Sequence, residues 1–186
     1  VCIDVFGKYA AVVPLQNKNG GSIASGILEC FKIMGKKPEI LYTDDEAAIS
    51  SDAMTEYYKQ NNIKHYVTRN HAAFAERFIR TFKDMLYKRI DGGSKKENPQ
   101  WHDYIYEVML TYNNQNVHSS NKKTPQNATK SDEAIDVKTN LEMRGLNGAK
   151  HSPDMAKYAT TSDSQRRVAQ ESRFTDFCYF KVLRLS

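Results

Sequence analysis

Over the first 115 residues, short runs of β-branched and aromatic residues alternate with longer stretches whose apolar positions recur every three to four residues. Strands and amphipathic helices in alternation bury their apolar faces best as helices layered on a sheet, which predicts an α/β domain with a mixed sheet. VCIDVF and YAAVVPL, with Gly7-Lys8 between them, read as a hairpin or one long bent strand. NKNGG is a turn, and Ser22 is the predicted cap of a helix over 22–35 that carries Ile23, Ile27, Phe31 and Met34 on one stripe and closes at Gly35. EILYT and IKHYVT are strands on either side of a helix over 51–61. A long helix over 71–90 places Phe74, Phe78, Phe82, Leu86 and Ile90 on its core side. The loop GGSKKENPQ leads to a last amphipathic helix over 101–115 with Trp101, Ile105, Val108, Met109 and Tyr112.

From about residue 121 the composition turns polar, with one short helical stretch, and 145–170 has no period and reads as loop or disorder. RFTDFCYFKVLRLS then returns to strand composition. The chain thus divides into a core over 1–128, a polar linker over 129–170, partly helical or disordered, and a β remnant over 171–186. With 186 residues, 40% of them hydrophobic, there is enough chain for one real core. The formal charge of +5 permits an anionic partner without requiring one. Cys2, Cys30 and Cys178 are scattered, which excludes a zinc cluster and argues for a reduced intracellular setting. No apolar run approaches a membrane span.

Two acids carry the chemistry. Asp44 follows a buried-type strand, at the sheet end where α/β folds place ligands, and is crowded by Asp45 and Glu46. Such neighbours repel one another unless a cation, a base or water compensates. Glu76 heads a helix with five bases, Arg77, Arg80, Lys83, Lys88 and Arg89. Positions 76, 80 and 83 share a face, so a Glu76–Arg80 surface pair is the simple reading. Two carboxylates from different elements, with bases alongside for phosphates, also suit metal-assisted phosphodiester chemistry. The five histidines show no HxxxH or HExxH spacing, and the serines and glycines build no nucleophile elbow or phosphate loop.

Four pieces in order resemble the integrase catalytic core of retroviruses, retrotransposons and self-synthesising DNA transposons, a branch of the RNase H-like fold. They are IDVFGKYAAVVPL, LYTDDEAAI, AERFIRTFKDML and YNNQNVHSSNKKTPQNA, and the resemblance spans roughly residues 1–128. The resemblance implies an RNase H-like mixed sheet flanked by helices, with Asp44 and Glu76 as the second and third acids that hold Mg²⁺ or Mn²⁺. It implies DNA as partner, gripped by Arg77, Arg80, Lys83 and Lys88, with 3′-end processing and strand transfer as the reactions. It also implies a homo-oligomer, and action in the nucleus follows from chromosomal DNA as substrate.

The chain departs from the pattern in three places. DDEAAI lacks the glycine that follows the second acid in the family. The stretch from Asp44 to Glu76 is shorter than in retroviral members, with the difference in the RNHAAFA loop. The first acid of the family lies on a strand upstream of Val1, so the expectation is an N-terminally truncated core that is inactive as given and a relic unless that strand exists. Asp4 belongs to the second strand, where hydrogen bonding across the hairpin turn is its expected role. SRFTDFCYFKVLRLS resembles part of the β module that follows such cores, and is expected at the edge of the core sheet or without fixed order. A catalytically silent nucleic-acid-binding module is the rival reading; an RNase H-like nuclease is disfavoured by the YNN…HSS…TP wording.

Overall fold

The structure, a computed structural model, describes residues 1–68, 73–92, 100–149 and 177–180. The elements run β1 (Cys2–Asp4), β2 (Ala10–Ala11), α1 (Gly20–Met34), β3 (Ile40–Thr43), α2 (Asp52–Gln60), β4 (Lys64–Val67), α3 (Ala73–Asp91), α4 (Ile105–Asn114), α5 (Pro125–Ala128), α6 (Ala134–Ala149) and β5 (Phe177–Phe180). A turn of 3-10 helix, Trp101–Tyr104, leads into α4. The five strands form one mixed sheet in the order β2-β1-β5-β3-β4. β1 is antiparallel to β2 and to β5, whereas β3 is parallel to β4 and β5.

Two apolar layers cover the sheet, and the period-two alternation of β1 decides which side chain serves which layer. Val1 and Ile3, with Ala10 and Val12, pack against Ala75, Phe78, Ile79, Phe82 and Leu86 of α3 and Val108, Met109 and Tyr112 of α4. Cys2 and Ala11 face the other way, onto Ile23, Ile27, Cys30 and Phe31 of α1 and Met54 and Tyr58 of α2. A satellite cluster of Phe6, Ala128 and Val137 ties α5 and α6 to the end of the β1–β2 hairpin. The α/β class and mixed sheet read from the sequence are therefore correct.

Several local expectations change. The cap of α1 is Asn19, whose side chain accepts from the Ser22 N–H at 2.8 Å, so Ser22 lies inside the first turn. Asn19 holds the extended backbone a cap needs (φ −74°, ψ 159°), three residues ahead of the amide it satisfies. Gly35 ends the helix at φ 67°, a left-handed position that favours glycine. Phe74 is 37% exposed and lies off the core, because the buried stripe of α3 runs through Ala75, Phe78, Ile79, Phe82 and Leu86. α6 is a full sixteen-residue helix where one short helical stretch was expected.

The largest difference is at the far end of the chain. Residues 177–180 are neither at the sheet edge nor apart from it: β5 lies between β1 and β3 and pairs with both. Among the described strands no other pairing joins the β1–β2 ladder to the β3–β4 ladder. The expected RNHAAFA and GGSKKENPQ loops lie in large part outside the described residues, as do residues 150–176, which include most of the stretch read as loop or disorder.

Candidate functional site

Asp44 leaves the C-terminal end of β3 in a tight turn. Its carbonyl accepts from Glu46 N–H at 2.9 Å, and the Thr43 hydroxyl donates to the same carbonyl at 3.0 Å. The backbone of the acidic run is thus held by the turn, and one carboxylate oxygen of Asp44, Oδ1, is buried. Glu46, two residues on, pairs with Lys18 at 3.0 Å, which removes part of the crowding among Asp44, Asp45 and Glu46. Asp45 is exposed, so water screens it.

Glu76 sits half-buried in the first turn of α3, where the helix N-terminus favours negative charge by about 0.3–1 kcal/mol. Arg80 is exposed and Lys83 half-exposed on the same face, Lys88 is exposed further along, and Arg89 is taken up by Glu107 at 2.8 Å. Arg77 leaves this line. Its charge, with that of Arg144, acts on the ammonium of Lys8 and on the imidazole of His118.

Hard carboxylate oxygens are the right donors for Mg²⁺ or Mn²⁺, but a two-ion centre needs a further bridging acid. Among the described residues no group of three or more His, Cys, Asp or Glu side chains is placed to hold a metal ion. Asp44 and Glu76 therefore do not complete such a centre by themselves. Asp4 cannot serve, because it is built into the hairpin. It is 1% exposed, and its two oxygens accept from Phe6 N–H at 3.1 Å and Gly7 N–H at 2.9 Å. Burial raises its pKa, opposed by Lys36 at 3.5 Å and by the two amides.

The closing segment of the core grips this same hairpin, a role the sequence reading did not assign. Asn113 makes a two-way bond to the backbone of Ala10, accepting from its N–H at 3.1 Å and donating to its carbonyl at 2.9 Å. Tyr112 donates from its hydroxyl to the Lys8 carbonyl at 3.2 Å, and Asn121 donates to the Gly7 carbonyl at 3.4 Å. His118 Nδ1 lies 2.8 Å from the Ser120 hydroxyl and accepts from the Ser120 N–H at 3.3 Å; with Nδ1 as acceptor, the neutral ring is assigned its proton on Nε2. Sequence reasoning missed Lys8 and Arg144 altogether. The Gly-Lys turn was the one available signal for Lys8, and Arg144 reaches the site only through the fold.

No family model matches the chain. The HTLV-2 integrase catalytic core domain, in complex with magnesium in its trimeric form, superposes with a TM-score of 0.59 at 23% identity, over 68% of this chain and 80% of that one. A chain of the simian T-cell lymphotropic virus intasome, solved in complex with PP2A regulatory subunit B56 gamma, gives 0.61 at 19% identity, over 68% of this chain and 45% of that one. The fold is that of an integrase catalytic core.

Sequence similarity runs to mobile elements. A transposon-derived protein of Caenorhabditis elegans is 28% identical over 116 residues, 61% of this chain and 40% of the relative. The retrovirus-related Pol polyprotein from transposon 297 of Drosophila melanogaster is 25% identical over 126 residues, 67% of this chain and 12% of the relative. The chain thus spans under half the length of these curated relatives, and its sequence likeness is to proteins of mobile elements.

Proposed function

We propose that the chain is the DNA-handling core of a mobile-element integrase, acting in DNA integration by 3′-end processing and strand transfer. What carries the reading is the placement of two acids within an integrase fold: Asp44 at the end of β3, and Glu76 on the first turn of α3 with Arg80 and Lys83 along its face. The acids supply two of the carboxylates the reaction needs, with Mg²⁺ or Mn²⁺ as its cofactor. Arg80 and Lys83 hold phosphates along the helix, with Lys88 beyond them, so DNA binding is tolerant of sequence and weakened by salt. A homo-oligomer working on chromosomal DNA in the nucleus completes the proposal.

The test is joining of oligonucleotide ends into plasmid DNA with Mn²⁺ present, for the chain extended by an upstream strand that carries the first acid and for the Asp44→Asn and Glu76→Gln variants of that extended protein. Product that falls at least about 100-fold in both variants supports the reading, in line with the scale of lost electrostatic stabilisation. Equal product in all three removes both acids from the reaction. A second reading is a DNA-binding module without chemistry, favoured by the absence of a three-member acidic group among the described residues. It predicts salt-sensitive binding and no product in any of the three proteins.

A further inference from the structure

Lys8 is an odd residue to find in a tight turn. Its backbone is left-handed at φ 65°, a conformation that non-glycine residues adopt at a cost, and such outliers concentrate at functional positions. The turn around it is firmly built. Lys8 N–H donates to the Asp4 carbonyl at 3.0 Å, and the Asp4 carboxylate binds the two amides that precede it. A Cβ on Gly7 would come within 2.8 Å of that carboxylate, so the approach requires glycine. The Lys8 ammonium donates to the Val5 carbonyl and lies 4.3 Å from the ring centre of Phe74 on α3. Phe74 is thereby explained: it is out of the core because it supports a cation.

Three further donors are brought near Lys8 from three other elements: the charges of Arg77 and Arg144 act on Lys8 and on His118, and Asn121, in the same turn as His118, donates to the Gly7 carbonyl at 3.4 Å. Arg77 lies one turn beyond Phe74 on α3. His118 lies in the turn between α4 and α5, and Arg144 on α6 donates to the hydroxyl of the adjacent Ser119 at 3.4 Å. Arg77 and Arg144 are exposed, and among the described residues neither forms an ion pair. The acid that faces Lys8 is Asp4, which is buried, bound to two amides and shared with Lys36. Positive charge has therefore been gathered from four parts of the chain with little carboxylate to balance it, an arrangement that an anion stabilises.

We propose that Lys8, Arg77, His118 and Arg144 form a phosphate-binding cluster, separate from the Arg80–Lys83 line, that takes the phosphodiester backbone of a nucleic-acid strand. The proposal rests on the DNA-handling reading above and adds a second point of contact to it. Arg77 and Arg144 make the direct contacts, since they are exposed. His118 offers its Nε2–H as a neutral donor. Burial, then the charges of Lys8, Arg144 and Arg77, lower its pKa to about 4 and keep it uncharged at neutral pH. Lys8 is a positioning residue that supplies fixed charge from beneath, its own pKa lowered to about 8 mainly by burial.

The experiment is fluorescence anisotropy of a labelled oligonucleotide with the 186-residue chain in metal-free buffer, across a range of salt concentrations. Arg77→Gln/Arg144→Gln, both at exposed positions, should weaken binding about tenfold or more and reduce the slope of log affinity against log salt by about 1.5. Lys8→Gly, which suits the left-handed backbone, should weaken binding while circular dichroism stays that of the wild type. On saturation with the oligonucleotide, the His118 imidazole should titrate at higher pH in NMR, a change a purely structural histidine would not show. Inorganic phosphate at the same phosphate concentration should not reproduce that change; if it does, and the oligonucleotide does not bind, the site is for a small anion and the proposal fails. An unchanged salt slope in the double variant also overturns it. Because metal is absent, loss of joining activity with these slopes intact would sink only the function proposed above.

Discussion

Replacing Asp4 with Ala would leave the buried amides of Phe6 and Gly7 without their acceptor. At roughly 1–3 kcal/mol for each orphaned donor, Asp4→Ala should cost about 3 kcal/mol. In urea unfolding the midpoint should fall with little change in slope. His118 gives a pH signature of opposite origin. Its folded pKa is near 4, against an ordinary value of 6.5, so between these values the unfolded chain binds more protons. The stability it contributes is complete above pH 6.5 and is lost as pH falls toward 4. Asp4 acts in the reverse sense, since its raised pKa makes the folded state hold a proton longer as pH rises above 3.8. Comparing thermal midpoints of wild type and His118→Gln from pH 7 to pH 4 isolates the histidine: the wild type should lose more stability than the variant. Equal losses would show that the imidazole is not held neutral.

Among the elements, β2 is only two residues long and depends on a side chain to act as its missing neighbour. Asn113 supplies both a donor and an acceptor to Ala10, as a paired strand would. Asn113→Ala should speed amide exchange at Ala10 and destabilise the protein by about 2 kcal/mol, for one buried donor and one acceptor left unmade. Much at this scale was legible in the sequence. The spacing of Phe78, Phe82 and Leu86 defined the buried face of α3, and Gly35 marked the end of α1. What was not legible depended on partners far along the chain. Phe74 continues the apolar period of α3, yet Lys8 from another element claims it. Asn19 outcompetes Ser22 as a cap because its acceptor reaches the amide three residues on, a choice that both sequences of polar residues permit. Asp44 and Glu76 could be placed at a strand end and a helix start, but their completion by a third acid is not a local property.

At the scale of the molecule, β5 carries the greatest load. Its register sets Cys2 opposite Phe180 on one side and Thr43 opposite Phe180 on the other, so four residues hold both ladders together. Strand composition in the tail was readable, whereas its place inside the sheet was not, because pairing between residues so far apart leaves no periodic trace. Proline at position 178 would remove an amide from the middle of this strand, where β structure tolerates it poorly. Cys178→Pro should therefore cost about 3 kcal/mol, from broken ladder bonds and stranded partners, and lower the thermal midpoint. An unchanged midpoint would mean the sheet does not depend on β5.

That interior position has a cost in time. During synthesis β1 leaves the ribosome well before β5, and domains assemble as their parts become available. Here the two halves of the sheet must wait, each with an open edge, until residue 180 arrives to bridge them. Such long-range closure slows folding and leaves strand edges exposed to neighbouring chains in the meantime, so nascent copies should need a chaperone's shelter more than the finished protein does.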